Sequence, residues 1–371
     1  MFSTEAEAKN LINALRNGTA PYRHHTMILS GRDGEINTFK RALKLIENNT
    51  GLVKILVGDY GVGKSFLTGT YKHIALNDDY VIASFQINNG YRLNKLEDLY
   101  YAIMHNLYLK HDPESKSSFD AIFDLWIENL KNAPFPEQKS HEIQTVCDAL
   151  SKFNHTFSRA FLSYIRSKIR GDREATSTTS AWLSGEHHIP QSLKQKVDLT
   201  GGVDKTNSLD FLKSFVKLIT LLDYKGLIVF IDELDLVLHD RSDIRLNAFD
   251  NLKYLVDLTT SGELPNTFFM FTGTKEVITS TDKGVLTHTA LAQRLNLNLP
   301  EDSGSVLQID SLEPAALLEL TKKVLKLYSS FTALPNNISA ELLYDEINKS
   351  EPKVTRHYVT RLIERLDSEI L

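Results

Sequence analysis

Gly58-Asp-Tyr-Gly-Val-Gly-Lys64-Ser65, set between the apolar run Val53-Lys-Ile-Leu-Val57 and a helical pattern that begins at Lys64, decides how this chain is read. The stretch fits G-x-x-x-x-G-K-[ST], and its weight comes from its setting, a strand before it and a helix after it. Glycines let the backbone curl until several N–H groups and the helix N-terminus face the phosphates of a nucleotide. Lys64 adds a point charge and Ser65 a hydroxyl ligand for Mg²⁺. The expected nucleotide cradle is therefore Gly58, Asp59, Tyr60, Gly61, Val62, Gly63, Lys64, Ser65 and Phe66.

Further along, Gly226-Leu-Ile-Val-Phe-Ile231 reads as a strand covered on both faces, and it ends in Asp232-Glu233. Open parallel sheets present ligands to the carboxyl ends of their strands. There Asp232 would hold Mg²⁺ through water, while Glu233 would polarise the attacking water as general base. That second acid argues for hydrolysis over transfer to a small substrate. Thr272 and Thr274 follow the strand at 267–271. Thr272 is the preferred group to touch a γ-phosphate or its water, although threonine at a strand end is also ordinary turn chemistry. Arg294 is a candidate arginine finger toward a neighbouring subunit, and Arg356 a candidate bridge between the last helices and phosphate. Each also reads as a surface or interlobe ion pair.

Around these motifs the chain alternates helix and strand: a helix at 33–49, strands at 53–57 and 81–87, and a helix between them. Residues 93–223 are helical in pattern, with breaks at Asp112-Pro113 and around Gly185. Alternation resumes with strands at 226–231, 267–271 and 306–309, and the rest is helical. The expected fold is α/β, a P-loop NTPase with a parallel sheet, an all-helical insertion and a C-terminal helical lid. Its expected parts are N-terminal helices at 1–50, a core at 51–92 and 209–310, the insertion at 93–208 and the lid at 311–371.

The chain has 371 residues, 42% hydrophobic and 24% charged, enough for a sizeable core. With 42 Lys+Arg against 47 Asp+Glu, the net charge is −5, so no global basic field holds nucleic acid. Cys147 is the single cysteine, which rules out an internal disulfide and a Cys-rich zinc site. The start carries no secretory signal and no apolar run is long enough to span a bilayer, so a cytoplasmic location without membrane contact is expected. One local basic feature stands out on the helix expected at 154–170: at 100° per residue Arg159, Arg166, Arg170 and Arg173 fall on one edge. It would track a DNA backbone or an acidic partner, or simply be a solvated face. His24-His25 and His187-His188 lack a spaced third ligand and read as loop histidines.

Several runs resemble the BREX-type ATP-binding proteins of bacterial anti-phage systems. They are Ala181-Trp-Leu-Ser-Gly-Glu186, Lys205-Thr-Asn-Ser208, Asp223-Tyr-Lys-Gly-Leu-Ile-Val-Phe-Ile-Asp-Glu-Leu-Asp235, Asn247-Ala-Phe-Asp-Asn-Leu252, Phe271-Thr-Gly-Thr-Lys-Glu276 and Ala290-Leu-Ala-Gln-Arg-Leu295. The resemblance implies an AAA+-like ATPase of the additional-strand, catalytic-glutamate type that uses ATP and Mg²⁺. It carries Gly58, Gly63, Lys64, Ser65, Asp232, Glu233 and Arg294 over by position. It also sets Ser30-Gly-Arg32 beside the segment that approaches adenine in AAA+ proteins. Partners implied are other defence subunits of helicase, methyltransferase or nuclease type, with a homo-oligomer if Arg294 acts in trans. The expected cycle moves insertion and lid against the core. The alternative is a nucleotide-gated adaptor, like a helicase loader, with slow or no hydrolysis.

Overall fold

A computed structural model describes residues 5–19, 25–88, 91–132, 135–297, 304–332, 334–335, 337–352 and 354–369. His24 lies outside them. Helices α1 (Glu5–Arg16) and α2 (Asp33–Glu47) precede strand β1 (Leu52–Val57), and α3 (Lys64–Asn77) leads from the glycine loop to β2 (Val81–Gln86). Next come α4 (Glu97–Met104), β3 (Leu107–Leu109), β4 (Asp112–Ser117), α5 (Phe119–Asn132), α6 (Pro136–Ser151), α7 (His155–Arg170), α8 (Arg173–Leu183) and α9 (Gln191–Lys196). Helix α10 (Ser208–Leu221) returns the chain to β5 (Leu227–Asp232), and α11 (Ser242–Thr260) to β6 (Thr267–Gly273). Short helices α12 (Glu276–Thr279) and α13 (Thr289–Arg294) precede β7 (Val306–Gln308), and α14 (Pro314–Tyr328), α15 (Ala340–Asn348) and α16 (Thr355–Asp367) follow it.

The seven strands form one sheet in the order β4-β3-β2-β5-β6-β1-β7. From β2 to β7 all pairs are parallel, whereas β3 and β4 add an antiparallel edge. The insertion is thus not all-helical. Leu107 and Leu109 are buried beside the free edge of β2, and Asp112-Pro-Glu-Ser-Lys-Ser117 closes that edge. Neither strand was legible, because one is three residues long and the other polar throughout. Pro113 sits where a proline is tolerated, on the outermost strand.

Alternate side chains of the buried strands enter two apolar layers, as a period of two requires. Leu56, Ile82, Ile228, Phe230, Phe268 and Met270 face α2 and α3. Val57, Val229, Ile231, Phe269 and Phe271 face the other way, into a cluster that also holds Phe123, Phe157, Phe161 and Trp182 of the insertion. Insertion and sheet therefore share one continuous core. A third cluster stands apart: Leu11, Ile12 and Leu15 of α1 pack with Leu320, Val324, Leu362 and Ile363 of the C-terminal helices. Arg16 secures that union by donating to both carboxylate oxygens of Asp367, at 2.7 and 2.8 Å. Helix α1, expected among the elements leading into the core, packs with the last helices instead. Among the described residues, no helix is long and apolar enough to cross a membrane.

Phe39 is 1% exposed and stacks on Tyr71 with ring centroids 4.1 Å apart, beneath Phe268 at 5.9 Å. Phe39→Ala should therefore cost about 3–5 kcal/mol. The check is a lower denaturant midpoint at unchanged slope.

Candidate nucleotide site

Register puts the chemistry on one edge of the sheet. Val57 lies opposite Gly273, and Phe271 opposite Ile231, so the loop after β1 and the acids after β5 emerge side by side. With β6 between them, they stand two strand spacings apart, about 10 Å. The loop needs its glycines. Gly61 and Gly63 have φ of +85° and +107°, and a Cβ on Gly58 would fall 2.6 Å from the Ile309 carbonyl oxygen.

A cleft of about 280 Å³ opens here, lined by Tyr60, Gly61, Val62, Gly63, Lys64, Ser65 and Phe66 on one side and by Asp232, Glu233 and Asp235 on another. Its third wall comes from outside the sheet: Leu15, Gly18 and Thr19 beside α1, with Leu312, Leu320, Thr355, Arg356 and Val359 of the C-terminal helices. Leu15, Leu312, Leu320 and Val359 make that wall partly apolar, while Lys64, Asp232, Glu233, Asp235 and Arg356 bring charge to the cleft.

Lys64 folds back, its Nζ donating to the carbonyls of Gly58 at 2.7 Å and Asp59 at 3.1 Å, with the Tyr60 ring 5.3 Å away. Burial pushes this ammonium below the ordinary lysine range, and nearby Arg356 pushes the same way, against the pull of Asp235, Asp232 and Asp59. An incoming anion would relieve that burden. The side chain of Arg356 pairs with no carboxylate among the described residues, while its backbone N–H donates to Gly61 O at 2.9 Å. The last helix is thereby attached directly to the phosphate loop.

Asp232 closes β5. Its Oδ1 accepts from the Thr272 hydroxyl and, at 2.9 Å, from the Glu233 N–H, which leaves Oδ2 without a partner among the described residues. Glu233 is exposed and sits in the left-handed region with φ of +62°, a turn that swings it off the strand into the cleft. Partial desolvation raises its carboxyl above the usual range, and Asp232 and Asp235 raise it further. Asp235, a residue to which sequence reasoning assigned no role, is only 7% exposed. Its Oδ1 accepts the Thr274 N–H at 3.0 Å and its Oδ2 the Tyr60 hydroxyl at 2.9 Å. One carboxylate thus ties the phosphate loop, the acidic turn and the end of β6. The signal available was the third acid of Asp232-Glu-Leu-Asp235.

Other expected residues fall less simply. Thr272 is buried and committed to Asp232, so it reaches the cleft through that carboxylate. Arg32 lines the cleft but spends its guanidinium on Glu35 at 2.8 Å and on the carbonyls of Val62 and Asp310 at 3.0 and 2.6 Å. It holds the loop against the exit of β7. Arg294 is outside the cleft lining and donates to Asp257 of α11 at 2.6 Å. The basic edge is divided, because Gly171 ends α7 at φ of +74° and Arg173 starts α8. Helical extrapolation past Arg170 ignored the glycine stop. All four arginines are exposed.

Asp235→Ala should cost about 1–3 kcal/mol, because it leaves the Thr274 N–H without its acceptor. Tyr60→Phe should cost less, since that hydroxyl is at the rim. Urea unfolding of both single variants and the double variant would read the coupling between them.

No curated protein matches the chain. A family model described as BREX system ATP-binding protein BrxC/D matches residues 4–368, a span that takes in the phosphate loop, the acidic strand end and every helix walling the cleft. The chain belongs to the BREX system ATP-binding protein BrxC/D family.

Proposed function

We propose that the chain is a Mg²⁺-dependent, AAA+-like ATPase whose hydrolysis powers or switches an anti-phage defence complex. The observation that carries this reading is the placement of Lys64 and Ser65 across one cleft from Asp232 and Glu233. In it, β6, interposed between β1 and β5, is the additional strand of that class. The triphosphate lies along the Gly58–Ser65 loop, with backbone N–H groups and Lys64 on its oxygens. Ser65 and the free Oδ2 of Asp232 suit Mg²⁺, a hard cation that takes oxygen ligands. When bound, that ion offsets charge on the phosphate oxygens. Glu233 accepts a proton from the attacking water, and its raised basicity favours that transfer.

Arg356 brings a positive charge from α16 to the phosphates. Because α16 shares its core with α1, α14 and α15, loss of a phosphate contact would free this helical unit to move, so the unit is the lid. Arg294 keeps a partly exposed side chain beside Asp257. It serves as a finger toward a second copy once that pair opens. The other partners are defence subunits that process DNA, with Arg159, Arg166, Arg170 and Arg173 as the surface that meets nucleic acid.

Glu233→Gln should lower the turnover number by about 10²–10⁴ while ATP still binds. Binding measured by calorimetry beside phosphate release separates the two, and turnover at the unsubstituted rate would refute the base assignment. Acid dependence follows from the sign of the shift. A raised carboxyl gains its proton sooner on acidification, so kcat/KM should fall at a pH above the ordinary glutamate value of about 4.3.

A further inference from the structure

The insertion carries a second, larger cleft of about 630 Å³, between the ends of α4 and β4, the start of α5 and the length of α8. It shares no lining residue with the nucleotide cleft. Its acids are already engaged: Asp120 accepts from Tyr164 at 2.7 Å and Ser180 at 2.8 Å, and Glu186 lies 2.8 Å from His105 Nε2. Its cations are not, for Lys116 and Arg173 are exposed and pair with no carboxylate among the described residues. Ser117 lines the same cleft, and its hydroxyl is buried with no hydrogen-bond partner among the described residues. A buried donor left in that state calls for a ligand or water acceptor.

His105, which lines the cleft, belongs to a stack of aromatic rings beside it. Tyr101 stacks on His105 at 3.9 Å and on exposed His187 at 5.4 Å, with interplanar angles of 25° and 22°. Unpaired cations beside stacked, partly open rings are what an unpaired strand requires. Its phosphates seek charge, and its bases offer free π-faces that a duplex hides. Against a net charge of −5, such attraction is confined to a locality. Exposed Arg170, next to the lining residue Gly171, extends the cationic border.

We propose that this cleft binds single-stranded nucleic acid, with its backbone on Lys116 and Arg173 and its bases against the outer faces of His105 and His187, which hold Tyr101 between them. This names the form of nucleic acid; it rests on the defence-complex reading for the presence of DNA and shares Arg170 and Arg173 with the surface proposed there, whereas Lys116 and His187 belong to the cleft reading alone. Nothing in it depends on the nucleotide cleft.

Fluorescence anisotropy of the full chain without nucleotide, using labelled oligothymidine and a duplex of equal length across a salt titration, is the test. Lys116→Ala combined with Arg173→Ala should weaken single-strand binding about 10-fold and flatten the log–log salt slope by about 1.4. His187→Ala should weaken it about 5-fold or more at unchanged slope. Lys116→Arg with Arg173→Lys should restore binding, and Lys64→Ala should bind the strand normally although ATP binding is lost. Equal thermal melting of the variants shows that they are folded. Three results would overturn the proposal: no binding of oligothymidine at low salt, unchanged affinity and slope in the double alanine variant, or duplex bound as tightly with His187→Ala indifferent.

Discussion

Everything at the nucleotide cleft depends on the parallel pairing of β1, β6 and β5. In-register pairing along three buried strands brings Val57, Gly273 and Asp232 to a common edge. The glycine loop and the acidic pair are far apart in sequence, and only this register makes them neighbours. A slip of one residue would reverse every side chain on a strand, moving Ile228 and Phe230 from one apolar layer to the other. Burial on both faces therefore specifies the chemistry as well as the fold.

The second organising feature is the division of apolar cores. Sheet and insertion are joined through a single cluster, whereas α1 and α14–α16 keep their own. The cleft lies along the boundary between them, bridged by the Arg356 N–H to Gly61 O. Residues of both bodies line it, so a ligand seated there would touch both. Asp235 acts within one body, fastening three loops of the sheet so that Glu233 leaves its turn in a defined direction.

Local patterning made much of this legible. The Gly58–Ser65 loop needs a particular backbone that its own glycines permit, and the run ending at Asp232-Glu233 announces a strand buried on both sides. Less visible were contacts made at long range. Thr272 was expected to reach phosphate, yet its hydroxyl is spent on Asp232, and Arg32 is spent on carbonyls from two other segments. Hydrogen bonds of that kind leave no periodicity. The β3–β4 edge escaped notice for a related reason, since a short polar strand is stabilised by the neighbour it pairs with and hardly by its composition.

By itself, the sequence determined that a glycine loop between a strand and a helix and an acidic strand end exist, because turn chemistry and burial patterns are local properties written in adjacent residues. Tertiary structure alone decided that α1 joins the last helices, that the insertion shares the sheet's core, and that Asp235 links the three loops. Each of those is set by which surfaces exclude water together and which buried polar groups find partners, and both depend on residues distant along the chain.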